Sequence, residues 1–240
     1  MTDVLHHYNE LLAAYYTWMF GDFAEQVEEQ RTLFERWGVK AKGGKSALDL
    51  GCGSGFQSIA LADLGFRVTA VDLNAQLLKE VEERKGARAI IPLQADIRAL
   101  ERLVEGAFDV IVCMGDTLTH LESRDEVLKL FEDVRRLSEG GGRCILGFRD
   151  LSTELKGVER FIPVRSDGGT IMTCFLEYQP ERVLVHDLIY TRVGEAWILR
   201  KSVYPKLRLE RSWVIETMEK AGFTVEVQEV QRGMCFVVAH

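Results

Sequence analysis

Hydrophobic positions along the chain change their period twice. Over residues 5–18 and again over 23–37 they recur every three or four residues, which predicts two helices, the second closed by Gly38. From 47 to 148 short apolar runs alternate with helical stretches. Residues 47–50, 67–71, 89–93, 108–114 and 143–148 read as strands, and helices follow from Phe56, Ala75 and Ser123. Strict β-α alternation demands a parallel sheet covered on both faces. After Asp150 the period falls to two. Residues 161–164, 170–178, 183–190 and 196–203 are β-rich and separated by turn-forming segments, the pattern of an antiparallel meander. A helix over 209–221 and a pair of strands over 223–227 and 234–238 complete the chain.

Composition narrows the class. At 240 residues and 47% hydrophobic the chain can bury one core with an appended subdomain, and two independent domains are not expected. A net charge of −7 and the lack of a dense Lys/Arg tract argue against nucleic acid as partner. The five cysteines are far apart and form no CxxC or Cys/His cluster, so no metal is expected and a reducing cytoplasm is the natural compartment. No window approaches 18 uncharged apolar residues, so no membrane contact is expected either.

The densest chemistry lies where the first strand runs into Gly51-Cys52-Gly53-Ser54-Gly55. In such a strand-turn-helix, Gly51 permits the sharp turn, Gly53 offers bare backbone to a ligand and Gly55 lets the helix pack close to the strand. Asp49 enters this turn. Facing a pyrophosphate at roughly 5 to 6 Å, a carboxylate costs about 3 kcal/mol at an effective dielectric of about 20, whereas a cationic ligand reverses the sign. The GxGxG spacing also departs from the GxGxxG of dinucleotide sites. Asp72, 21 residues after Gly51, stands where a βαβ unit presents a carboxylate to ribose hydroxyls. Its alternative is to cap the next helix, a place that Asn74 fills better.

Asp49-Leu50-Gly51-Cys52-Gly53-Ser54-Gly55 resembles the first motif of class I S-adenosylmethionine-dependent methyltransferases, and the resemblance continues in order through most of the chain. It implies an α/β, Rossmann-like three-layer sandwich: a mostly parallel seven-stranded sheet with a reversed last strand, plus an inserted antiparallel β meander. The implied cofactor is S-adenosyl-L-methionine, the product S-adenosyl-L-homocysteine, with no metal. Residues 1–150 and 206–240 would form the cofactor-binding domain with an N-terminal helical cap, and 151–205 an inserted substrate lid. The implied cofactor contacts are Asp49, Gly51, Gly53, Gly55, Asp72, Leu73, Asp96, Ile97, Met114 and Tyr16.

Several of these residues keep two readings. By resemblance Asp96 takes the adenine amino group and Ile97 meets the ring, yet Asp96 equally suits a cap on a short helix over 98–103. Tyr8 through Tyr16 resembles, imperfectly, a family pattern that places a tyrosine over the sulfonium, an attraction of roughly 0.5 to 2 kcal/mol. The other reading makes these rings filler between cap and sheet. Gly115-Asp116-Thr117-Leu118-Thr119-His120-Leu121 resembles the Gly-Asn-Ser-x-x-His-Leu segment of small-molecule methyltransferases, including those like glycine N-methyltransferase. Asp116 and His120 are the catalytic candidates. Asp116, in place of Asn, would orient a substrate ammonium or take its proton, or else cap 118–121; His120 would touch substrate or be structural. Arg149, Trp197 and Arg200, with His186 and Tyr204, are substrate-binding candidates, although alternation turns about half of each strand outward. The meander also offers a homodimer interface. The expectation is methyl transfer to a small molecule, at an amine nitrogen rather than an oxygen. A cofactor-binding module without transfer is the alternative, and an NAD-dependent oxidoreductase a more distant one.

Overall fold

The structure, a computed structural model, describes residues 2–41, 45–104 and 106–240. The N-terminal segment forms α1 (Thr2–Glu10), a 3-10 turn (Leu12–Ala14), α2 (Tyr16–Phe20) and α3 (Phe23–Arg36). One continuous helix was the expectation for 5–18, and the chain instead breaks at Leu11. The break buries Leu11, Leu12 and Ala13 together and turns Tyr8 and Tyr16 toward a common space. Helix α3 ends as its sequence predicts: Asp22 caps its start by accepting from the Glu25 N–H, and Gly38 takes a positive φ beyond its end.

The alternating region follows in order. It comprises β1 (Ser46–Leu50), α4 (Phe56–Asp63), β2 (Arg67–Asp72), α5 (Ala75–Lys85), β3 (Ile90–Gln94), α6 (Leu100–Leu103), β4 (Phe108–Cys113), α7 (Arg124–Leu137) and β5 (Ser138–Phe148). Four antiparallel strands come next: β6 (Phe161–Ser166), β7 (Thr170–Tyr178), β8 (Arg182–Val193) and β9 (Ala196–Leu207). The chain then returns through α8 (Arg211–Lys220), β10 (Val225–Gln231) and β11 (Met234–Ala239).

Seven strands form one sheet in the order β10-β11-β5-β4-β1-β2-β3, and β11 runs antiparallel to both of its neighbours. The expected α/β sandwich with its reversed last strand is therefore present. Side chains show why both faces must be covered. Leu48, Leu50, Ile111 and Leu146 pack with α7 and α8, while Ala47, Val110, Val112 and Ile145 pack on the other face with α3 and α4. Period two in a strand apolar at every position leaves no solvent face. Pro92, which cannot donate to a ladder, sits in β3 at the sheet edge.

The second sheet, β6-β7-β8-β9, lays its inner face against α1 and the turn that follows it. Arg208 ties its far end to the main body. Its guanidinium donates to the carbonyls of Leu151, Ser152 and Gln179, at 3.2, 2.6 and 2.8 Å. Among the described residues no helix is long and apolar enough to cross a membrane.

Phe131 is fully buried on the apolar stripe of α7, where it packs against the main sheet. Phe131→Ala should lower the unfolding free energy by about 3 to 5 kcal/mol through lost contact and the cavity left behind. Urea denaturation checks the loss.

Candidate functional site

At the C-terminal ends of β1, β2 and β4 the chain leaves the sheet to opposite sides, and a cavity opens there. It encloses about 650 Å³, counting its open mouth. Gly51, Gly53 and Asp72 form its polar floor, and Leu73, Leu77 and Ile97 form an apolar flank. The loop is pinned to β2 through one carboxylate: Asp72 accepts from the Gly53 N–H and from the Asn74 N–H, both at 2.8 Å. Asn74 caps α5, accepting from the Leu77 N–H at 3.0 Å. Leu73 is a further backbone donor to this carboxylate, whose two oxygens offer about four lone-pair positions. Burial raises its pKa, and the backbone donors oppose that shift.

Gly51 and Gly53 both lie at positive φ. A Cβ on Gly53 would stand 2.7 Å from the Tyr16 hydroxyl, so the close approach here is that of the tyrosine ring. Gly55 differs from expectation. The side chain that comes close to it is Val81 of α5, not β1.

Three expected contacts face elsewhere. Asp49 is buried beneath the loop and accepts from the Ser58 hydroxyl at 2.6 Å. Burial pushes its pKa up to about 7, so the turn carries less negative charge than its sequence indicates. Met114 packs in the core under the cavity, and its carbonyl accepts from the Thr117 hydroxyl. Asp96 is held by Arg98, whose backbone N–H and guanidinium both donate to it, and so caps the 3-10 turn at Ile97–Ala99. Ala95 and Ile97 on either side do line the cavity.

A second, larger cavity of about 1160 Å³, again counting its mouth, lies between the main sheet and the inner face of β6–β9. Tyr8, Tyr16, Gly115 and His120 line both cavities. His120 contacts Tyr8 edge-on at 6.0 Å, and its Nδ1 is buried without a hydrogen-bond partner. Burial, then the Lys206 charge, lowers its pKa to about 3, so the imidazole is neutral.

Asp116 stands at the start of the 3-10 turn Thr117–His120, and its carboxylate is engaged by two cations. It occupies the left-handed region at φ 77°, and its side chain makes no cap bond to the following turn. One carboxylate oxygen accepts from the Arg149 N–H at 2.7 Å. The other accepts from Lys206 Nζ at 2.8 Å and from the Arg149 guanidinium. Burial alone would raise its pKa, but Lys206 and Arg149 outweigh it and hold the carboxyl well below the usual range.

The meander contributes different residues from those expected. Trp197 lies on the outer face of β9, odd in step from Tyr204 and Lys206, which point inward. Arg200 has the inward parity but lies farther along the strand, where it donates to the Glu10 carbonyl at 2.5 Å. His186 sits on the face of β8 opposite the cavity side, paired with Glu177 at 2.9 Å. The residues missed were Lys206 and Asp187. Asp187 interrupts the inward row Val183, Val185, Ile189, a carboxylate in a buried apolar stripe, and that signal was present in the sequence. It pairs with His7 Nε2 at 3.0 Å and accepts from the Cys174 thiol at 2.8 Å. His7 also stacks on Tyr204, with ring centroids 4.2 Å apart, which fixes α1 to the second sheet.

Comparison with known proteins agrees with this architecture. A family model described as "Methyltransferase domain" matches residues 47–142. Over that stretch the chain is similar to a methyltransferase domain. A glycine/sarcosine N-methyltransferase of Parasynechococcus marenigrum is 30% identical over 138 residues, covering 57% of this chain and 49% of that one. A putative methyltransferase, YqeM, of Bacillus subtilis is 36% identical over 115 residues, covering 48% and 45%. The chain thus spans about half the length of these curated relatives. A solved S-adenosylmethionine-dependent methyltransferase from Clostridium acetobutylicum superposes with a TM-score of 0.74 over 98% of this chain and 96% of that one. At 17% identity it shows the shared fold, including the sheet beyond the methyltransferase domain.

Asp116→Asn keeps the shape and tolerates positive φ, yet leaves Lys206 and Arg149 facing each other without their anion. It should cost about 3 kcal/mol of stability near neutral pH. Because the folded-state pKa is depressed, this stabilisation is full above the unfolded carboxylate value of about 3.9 and is lost as pH falls below it. Urea denaturation of both proteins as a function of pH should show the gap shrinking below about pH 4.

Proposed function

We propose that the protein transfers the methyl group of S-adenosyl-L-methionine to a nitrogen of a small-molecule acceptor. The observation that carries this reading is the pair of abutting cavities whose common boundary is Tyr8, Tyr16, Gly115 and His120. One cavity has the glycine turn, a carboxylate and an apolar flank, features that fit a sugar and a planar ring. The other is open and carries both charges and apolar surface, which counts against a binding module without an acceptor.

In this reading Asp72 holds the ribose hydroxyls, Gly51 and Gly53 lie against the cofactor, and Leu73, Leu77 and Ile97 flank the ring. When bound, the cofactor supplies a methyl group already activated by a sulfonium. The protein's work is alignment, worth about 7 to 11 kcal/mol when two reactants are held in line. Tyr8 and Tyr16, whose hydroxyl pKa values burial keeps high, present neutral rings at the boundary, where a cation is favoured. His120 has too low a basicity to remove a proton and lines the boundary as a neutral imidazole. The amine therefore enters neutral. Nitrogen is favoured over a hydroxyl oxygen because no group at the boundary has the basicity that an alcohol needs. The glycine/sarcosine N-methyltransferase relative lends support to nitrogen as acceptor atom.

Release of S-adenosyl-L-homocysteine across a panel of small amines and alcohols tests the reading, and turnover confined to alcohols would overturn the nitrogen assignment. Asp72→Ala should weaken cofactor binding by roughly 2 to 4 kcal/mol through loss of the ribose bonds, measured by titration calorimetry on the folded variant. Asp49 adds a pH signature. A cationic ligand above the turn favours its ionised form, so cofactor affinity should rise from about pH 5 to about pH 7 and then level. The same titration on Asp49→Asn should be flat over that range.

A further inference from the structure

The acceptor cavity is unevenly furnished. Its end nearest the boundary holds two cations against one carboxylate: Arg149, Lys206 and Asp116. Asp116 directly follows the shared Gly115, one Cα step of about 3.8 Å, so these cations sit beside the place where the two cavities meet. Both keep donors in reserve. Lys206 has three and Arg149 five, and each is seen to spend one on Asp116. The Arg149 side chain is half exposed. The other carboxylate in the wall, Asp187, is turned to His7 and Cys174. Away from the charged end, the walls are Leu12, Met19, Val164, Met172, Leu176 and Val185. A two-carbon amine would leave these apolar walls facing water, which gains nothing from burial.

We propose that the acceptor is an amphipathic amine: it carries an anionic group within a few bonds of the reacting nitrogen, held by Lys206 and Arg149, and a bulky apolar remainder that lies on the inner face of β7 and β8. This rests on the methyltransferase reading above. A purely structural role for the two cations, bracing one sheet on the other, predicts no preference for charge in the ligand. Selectivity therefore separates the two roles.

The test uses the full chain loaded with S-adenosyl-L-homocysteine and titration calorimetry with three probes. L-phenylalanine has the anion and the apolar body, phenethylamine lacks the anion, and glycine lacks the body. Phenylalanine should bind at least about ten-fold tighter than either. Lys206→Gln should erase most of its advantage over phenethylamine while leaving S-adenosyl-L-homocysteine affinity unchanged. If that variant does not fold, Arg149→Gln, at a half-exposed guanidinium, carries the same comparison. Equal binding of phenethylamine removes the anion site, and equal binding of glycine removes the apolar one. No binding of phenylalanine at millimolar concentration, or an unchanged ratio in the variant, overturns the proposal as a whole. Failure of S-adenosyl-L-homocysteine itself to bind would overturn the underlying function instead.

Discussion

A single buried carboxylate governs how the two sheets of this protein meet. Asp116 leaves β4 in a left-handed turn and collects Arg149, from the end of β5, and Lys206, from β9. Lys206 would be costly to bury alone, and it is tolerated because this anion, shared with the half-exposed Arg149, lies beside it. The second sheet is therefore fixed over the carboxyl ends of the first by charge as well as by the apolar packing of α1. The polarity of the larger cavity follows from the same arrangement, because the excess cation remains where it was assembled.

The glycine turn works by a different balance. Its acid is not a free negative charge awaiting a cation: Asp49 lies below the backbone, bonded to Ser58, and burial has moved its protonation to near neutrality. Asp72 holds the loop in shape by accepting from backbone N–H groups and lines the cavity. One acid tunes the field from beneath, and the other sets geometry.

Much of this was legible in the sequence, and the parts that were not share a cause. The alternating βαβ order, the Ser123 cap of α7, Asn74 as the cap of α5 and the reversed last strand depend on local signals of a few residues, and they appear in the structure as read. The glycine loop was readable because its glycines and acids lie within one strand-turn-helix unit and the next strand. The larger cavity was not. Alternation turns half of each strand outward without saying which half, and parity places Trp197 and His186 there. Lys206 lay beyond the expected end of its strand, and its partner Asp116 is 90 positions away, a pairing that no local pattern encodes. Asp96 went to Arg98 because a nearby guanidinium competes with any ligand for the same oxygens.

The two tyrosines of the N-terminal segment bring these compartments under one control. Tyr8 and Tyr16 belong to the walls of both, and the segment that carries them is moored to the main body by the Asn9 and Asn74 side chains and by Thr17 on Glu80. A displacement of these short helices large enough to unseal one chamber unseals its neighbour. Residues 2–20 are thereby a party wall between the two chambers.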